Sequence, residues 1–190
     1  MDVQLQGPRV FLRMGEATDW HAWRSVRETS RDFLTPWEPS WPHNALTNSF
    51  FSGMLRRNWR DWRNGRAYPF FIFKKAQTGQ KPELIGGISL NDVQGGIAQK
   101  GVLGYWIGEK HARQGYMTEA AALLCDFAYQ TLHLHRVEAS CLPSNLPSQA
   151  LLQRLGFEEE GYAKAYLQIN GKWEDHVLWG RRSPRPQHNI

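Results

Sequence analysis

The sequence predicts an α+β fold, a mixed sheet covered by helices. Strand-like runs are interrupted by helix-period runs at unequal intervals rather than in strict alternation, and turn residues punctuate most junctions. At 190 residues, with 41% hydrophobic and 13% aromatic residues, the chain can bury a substantial core and is too apolar to be disordered. We expect one domain over residues 1–182, with the proline-containing, polar stretch 183–190 as a frayed tail.

The elements follow in order. "RVFLRMGE" alternates as a first strand, and "ATDWHAWRSVRETSRDFL" gathers Trp20, Trp23, Val26 and Phe33 near one helical face, with Thr18 or Asp19 as cap. After the proline-aromatic loop "TPWEPSWPHN", a second helix spaces Phe51, Leu55, Trp59 and Trp62. Three strand-like runs follow, "YPFFIFKKA", "ELIGGISLNDV" and "KGVLGYWIG", separated by turns at 77–81 and at Gly95 and Gly96. A helix carrying Leu123, Leu124 and Phe127 ends near His133, and "HRVEASCL" reads as a strand. "SNLPSQALLQRLGF" is a short helix with Ser144 or Asn145 as cap, Pro147 in the first turn and Gly156 as its stop. Two last strands are joined by Asn170 and Gly171, a hairpin signal.

Composition excludes several classes. No segment approaches the roughly 18 apolar residues that cross a bilayer, so we expect a cytoplasmic protein without membrane contact. Cys125 and Cys141 have no metal-ligand spacing and read as reduced, buried thiols. His133 and His135 lack further ligands at useful spacing, so no metal is expected. No two glycines are separated by a single residue, which removes the G-x-G-x-x-G fingerprint, and the P-loop pattern is absent. The net charge of +5 suits an anionic partner, whether nucleic acid, a ribosomal surface or a phosphorylated cofactor.

"HARQGYMTEA" is the stretch richest in chemistry. A strand feeds a turn and then a helix whose first N–H groups are unpaired; Gly115 permits close backbone approach, and Lys110, His111 and Arg113 add charge. Two readings fit, an ordinary strand-to-helix turn and a phosphate cradle.

Taken together, "GYWIGEKHARQGYMTEAAALL" and "HRVEASCLPSNLPSQALLQRLGFEEEGYAKAYLQINGKWEDHVL" resemble the acetyl-CoA-dependent N-acetyltransferases of the GNAT superfamily. More narrowly, the chain is similar to the RimJ/RimL group, which acetylates ribosomal-protein amino termini, and "FLTPWEPSWP" lies on the RimJ side of it. The specific signal is the combination of G-Y-x-T-E-A, N-x-x-S and L-G-F-x-x-E-G-Y. The resemblance implies the GNAT acyl-CoA N-acyltransferase fold, a mostly antiparallel sheet with a splayed central strand pair and helices on both faces. It implies that Gly104–Gly108 and His135–Cys141 splay to admit the pantetheine arm, with pyrophosphate on the amides of Arg113, Gln114, Gly115, Tyr116, Met117 and Thr118. It further implies that Asn145 and Ser148 face the acetyl-CoA sulfur, and that a strand N–H near Trp106 or Ile107 serves as oxyanion donor. The sequence departs from the superfamily at Ala112 and Met117, in the Q/R-x-x-G-x-G/A signature, and at Leu152, where many relatives carry an acidic tyrosine. Ser148 becomes the candidate partner of the leaving sulfur, with helix-start serine as the alternative.

The implied reaction is acetyl transfer to the α-amino group of a protein N-terminus, in particular the alanine of a ribosomal protein. An α-amine, with a reference pKa of about 8, is roughly one-tenth neutral at pH 7, so little base is needed. Glu160, Glu138, Asp175 and His176 are possible proton acceptors. Trp37 and Trp41 either line the slot for the peptide or plug a helix seam, and Arg24, Arg27 and Arg31 form a helical face, solvated or in contact with RNA. The same chemistry on a polyamine or an antibiotic, and a ribosome- or RNA-binding assembly factor, are the competing readings. A ribosome contact and a monomer or homodimer are compatible with the sequence.

Overall fold

The computed structural model describes residues 3–76 and 80–184; the centre of the expected turn at 77–81 and positions 185–190 of the expected tail lie outside the described residues. The strands are β1 (Gln4–Gln6), β2 (Val10–Arg13), β3 (Tyr68–Lys74), β4 (Glu83–Gln94), β5 (Lys100–Ile107), β6 (Arg136–Cys141), β7 (Glu158–Ile169) and β8 (Lys172–Arg182). They form one sheet in the order β1-β2-β3-β4-β5-β6-β8-β7, antiparallel throughout except for the parallel pair β5–β6. The helices are α1 (Trp20–Thr29), α2 (Arg31–Leu34), α3 (Asn48–Arg63), α4 (Tyr116–Gln130) and α5 (Leu146–Arg154).

Helices cover both faces, which is why the central strands read as apolar runs rather than clean alternations. On one face, here called the back, Ile72, Ile88, Leu90 and Leu103 pack with Leu124 and Phe127 of α4 and Leu152 of α5. On the other, the front, Phe71 and Phe73 pack with Trp23 of α1 and Phe51 of α3. Helix α4 buries Ala120, Ala121, Leu124, Cys125, Phe127 and Ala128, so it is apolar over much of its circumference. The two cysteines are buried and unbridged, and burial pushes the Cys125 thiol up to about 11.

Local chemistry explains the boundaries. Thr47 caps α3 by accepting the Phe50 N–H, and Asn145 caps α5 by accepting the Ser148 N–H. Asn170 and Gly171 both have positive φ, as a two-residue hairpin turn requires. Three details differ from expectation. The short β1 adds an eighth strand, too brief for a period to show in sequence. The first expected helix breaks at Ser30, whose hydroxyl is taken by the Glu109 N–H. Asp19 precedes α1 without capping it; its carboxylate is held by Arg13 at 2.7 Å and accepts the Glu16 N–H. Among the described residues, no helix is long and apolar enough to cross a membrane.

Candidate active site

The parallel pair β5–β6 is joined only at Lys100–Val102 and Arg136–Glu138. Beyond that the strands part, leaving Leu103–Ile107 without a strand neighbour on one edge among the described residues. Backbone groups alternate in direction along a strand, which shows what this edge presents. The Gly108 N–H donates to the Ile85 carbonyl of β4, and the Gln99 carbonyl accepts from His135 and Arg136 on the β6 side. By that alternation the N–H groups of Tyr105 and Ile107 face the opening, whereas the backbone of Trp106 faces β4. Gly86 fits this geometry, because a Cβ there would stand 2.5 Å from the Trp106 carbonyl oxygen. Of the two expected oxyanion donors, Ile107 has its amide toward the wedge and Trp106 does not.

A 3-10 turn, Glu109–His111, leads from β5 into the stretch before α4. Arg113 has φ +59 and Gly115 φ +82, so the chain curls tightly just before the helix. The Glu119 N–H is bonded to the Gly115 carbonyl, so the amides of Tyr116, Met117 and Thr118 have no intrahelical acceptor. The side chains here are engaged elsewhere. Met117 is in the core, Gln114 donates to the Lys110 carbonyl, and Tyr116 lies under the Arg9 guanidinium, 4.9 Å from Cζ to ring centre. Glu119 of the G-Y-x-T-E-A motif has a structural duty: its carboxylate accepts the amides of Arg9 and Val10 and the Arg9 guanidinium, pinning α4 to β2. His111 does not supply the expected charge. It is buried, and desolvation pushes its pKa down despite the carboxylate of Glu83 at 3.2 Å.

Ser148 sits in the first turn of α5, 9% exposed, with its N–H on Asn145 Oδ1 and its Oγ 2.5 Å from the hydroxyl of Tyr105. Tyr105 belongs to the splayed part of β5, and burial pushes its pKa up to about 12. Burial pushes the thiol of Cys141, the last residue of β6, up, with Ser148 opposing the shift. The Ser148 hydroxyl thus ties α5 to the splayed part of β5 through Tyr105. Sequence alone does not single out Tyr105, because a tyrosine in an apolar strand looks like core; the G-Y-W run beginning at Gly104 is the available signal.

On the front face a cavity of about 500 Å³ is lined by Trp37 and Trp41 of the aromatic loop, Phe50, Met54 and Asn58 of α3, and Gly104, Tyr105 and Trp106 of β5. Trp37 and Trp41 are thus cavity walls. Arg27 fixes the loop: its guanidinium lies 4.2 Å from the Trp41 ring centre and 4.8 Å from that of Trp106, and it grips Glu38 through two bonds of 2.7 Å. Trp41 Nε1–H donates to the same carboxylate. The turn of the β7–β8 hairpin braces the same loop, with the Asn170 N–H on the Glu38 carbonyl. Arg27 is therefore no part of a solvated arginine face, and Arg24 pairs loosely with Glu28.

The expected proton acceptors fare unequally. Glu160 is ion-paired with Arg136 beside Gly180, and Gly180 pairs with Glu138 at the closed end of the β5–β6 pair. The structure does not bring Glu160 to the wedge. Glu138 is held by Lys100 and Arg136, and Asp175 by the Tyr162 hydroxyl and the Ala165 N–H. His176 is 3% exposed and its Nδ1 lies 2.9 Å from the Glu174 carbonyl. A carbonyl only accepts, so Nδ1 carries a proton and donates it to this bond.

An open strand edge, a run of unpaired helix amides and a buried hydroxyl pair suit an extended ligand that ends in an anion. The family model for the acetyltransferase (GNAT) domain matches residues 9–158. The chain belongs to the GNAT acetyltransferase family. It is 36% identical over 184 residues to the [ribosomal protein uS5]-alanine N-acetyltransferase of Escherichia coli (strain K12), covering 96% of this chain and 92% of that one. Mycobacterium smegmatis RimJ, solved in complex with CoA-disulfide, superposes with TM-score 0.85 at 30% identity over 93% of this chain and 84% of that one. The ribosomal-protein-S5-alanine acetyltransferase of Vibrio fischeri gives 0.87 at 28% identity over 97% and 100%. The splayed pair, the mixed sheet and the two-sided helices are this family's fold, and acetyl-CoA-dependent N-acetyl transfer is its chemistry.

Proposed function

We propose that this GNAT enzyme acetylates the α-amino group of a protein N-terminus, and that its acceptor is the N-terminal alanine of a ribosomal protein. The observation that carries the reading is the front cavity, which reaches β5 at Gly104–Trp106, where β5 has left β6, and whose aromatic walls are preset by the Arg27–Glu38 latch. A slot of about 500 Å³ takes the first residues of a peptide end-on and places its amine beside the opening. The substrate of the Escherichia coli relative, 36% identical, points to the same acceptor.

Acetyl-CoA supplies an activated acetyl thioester. The residues divide the remaining work. The amides of Arg113–Thr118, with the positive end of α4, hold the pyrophosphate, and Gly115 keeps the approach open. The unpaired edge of β5 aligns the pantetheine arm through the backbone of Leu103, Tyr105 and Ile107. The Ile107 N–H is the donor for the oxyanion. Asn145 sets the first turn of α5, so that Ser148, backed by Tyr105, donates to the departing sulfur. His176, next to the Val177–Cys141 pair at the open end of β6, is the proposed acceptor of the amine's proton through water. Glu160 has no part in this scheme.

The test is incubation with acetyl-CoA and peptides beginning Ala, Ser or Met, with spermidine alongside. Selective acetylation of the Ala peptide at its α-amine is expected; turnover of spermidine without any peptide would contradict the reading.

A further inference from the structure

Helix α3 divides its circumference among three surroundings. Phe51 and Leu55 enter the front core, while Phe50, Met54 and Asn58 line the acceptor cavity. The remaining face carries Arg56, Trp59, Arg60 and Arg63, at the i, i+3, i+4 and i+7 spacing of a single helical stripe, and all four are exposed. Arg57 and Arg66 flank it, and Asp61, 3.4 Å from Arg60, is the only acidic residue of the helix. Among the described residues, neither Arg56 nor Arg63 has an ion-pair partner within 4.0 Å. Trp59 is 54% exposed, and the Arg63 guanidinium lies 4.8 Å from its ring centre.

We propose that this face of α3 binds RNA, with Arg56, Arg60 and Arg63 on the phosphate backbone and Trp59 stacked on a base. Three features favour RNA over an acidic protein segment. The cations are arginines, whose planar forks match phosphate oxygens and which stack beside bases. An exposed indole offers a flat surface that a base fills and a carboxylate does not. The chain carries a net charge of +5, so the surrounding field also favours a polyanion. Because α3 also walls the acceptor cavity, RNA held on the stripe lies alongside the slot without entering it. The proposal adds to the acetyl transfer and does not depend on the identity of the acceptor.

The experiment is fluorescence anisotropy of a labelled single-stranded RNA of mixed sequence, titrated with the full chain over a range of salt. Wild type should bind with log K falling linearly in log salt. The triple variant R56Q/R60Q/R63Q should bind at least about 10-fold more weakly, with the slope reduced by about 2, since each phosphate contact contributes roughly 0.7. Trp59→Ala should lose several-fold in affinity with its slope unchanged. Acetylation of a free peptide or amine by the triple variant should equal wild type, which separates failure here from failure of the catalytic reading. Equal RNA affinity in wild type and triple variant, or no binding by wild type at low salt, would overturn the proposal. Binding of poly-L-glutamate instead of RNA, lost in the triple variant, would assign the face to an acidic protein and likewise refute it.

Discussion

The hydroxyl of Tyr105 on β5 lies 2.5 Å from Oγ of Ser148 on α5, across the mouth of the opening between β5 and β6. Burial pushes Tyr105 up to about 12, so it stays protonated at working pH and can only lend its hydrogen to a partner without losing it. A serine hydroxyl alone is a poor acid. Backed by Tyr105, its own hydrogen is directed outward and its developing charge is shared. The two hydroxyls therefore act as one unit. Tyr105→Phe and Ser148→Ala should each slow turnover about 100- to 1,000-fold with KM for acetyl-CoA little changed, the range expected for losing one preorganised donor. The double variant should be no slower than Ser148→Ala. Steady-state kinetics of the four proteins check this; additive losses would show that the hydroxyls work separately.

Gly115 is the second lever. Its φ of +82 is costly for any residue with a Cβ, and such an atom would stand 3.1 Å from the Arg9 guanidinium. Gly115→Val should raise the Kd for acetyl-CoA by about 10-fold or more while the fold persists, because about 1–2 kcal/mol of strain falls on the curl that presents the amides. Isothermal titration with the cofactor measures it, and an unchanged Kd would remove the cradle from this turn.

Glu160 separates geometry from resemblance. Its ion pair with Arg136 places it at the closed end of the strand pair, so Glu160→Gln should retain activity within about 2–3-fold and lose at most about 1 kcal/mol of stability, as expected of a partly exposed pair. Turnover slowed by about two orders of magnitude, the scale of a lost general base, would instead place this carboxylate in the reaction.

Acid sensitivity follows from Glu119. Burial alone would push its carboxyl up, but the amides of Arg9 and Val10 and the Arg9 guanidinium outweigh it and hold the pKa below the ordinary value of 4.5. A carboxyl lowered in the folded state adds stability that is present above the unfolded pKa and is lost as pH falls through the folded one. Glu119→Gln should therefore cost about 1–2 kcal/mol at pH 7, and the gap from wild type should close below about pH 4.5. Urea unfolding at several pH values reads both numbers; a constant gap would mean that the carboxylate's charge is not what holds α4 to β2.

Much of the architecture was legible because local chemistry decided it. The Asn145 cap, the Gly156 stop and the Asn170–Gly171 turn are each set by residues adjacent in sequence, and the structure has all three. The backbone curl that the proposed site uses was legible at Gly115, whose φ is positive, and in the helix start that follows. What stayed hidden depends on pairs distant along the chain. Tyr105 meets Ser148 over 43 residues and Glu119 meets Arg9 over 110, and neither pairing leaves a period or spacing to read. The ion pair of Glu160 was hidden for the same reason: its partner Arg136 lies 24 residues earlier, and Glu160 itself sits at a register shift in β7. The Arg24, Arg27 and Arg31 periodicity was real, yet Arg27 was drawn inward by Trp41, Trp106 and Glu38, a cluster assembled from three separate segments.

The proposed acceptor is the N-terminal alanine of a ribosomal protein. Intact-mass spectrometry of ribosomal proteins from the host, with and without the gene, tests it most directly. One protein beginning with alanine should lose a single α-amino acetyl group in the deletion strain and regain it with wild type but not with Ser148→Ala. Unchanged masses for every ribosomal protein, with the enzyme demonstrably expressed in the parent strain, would contradict it.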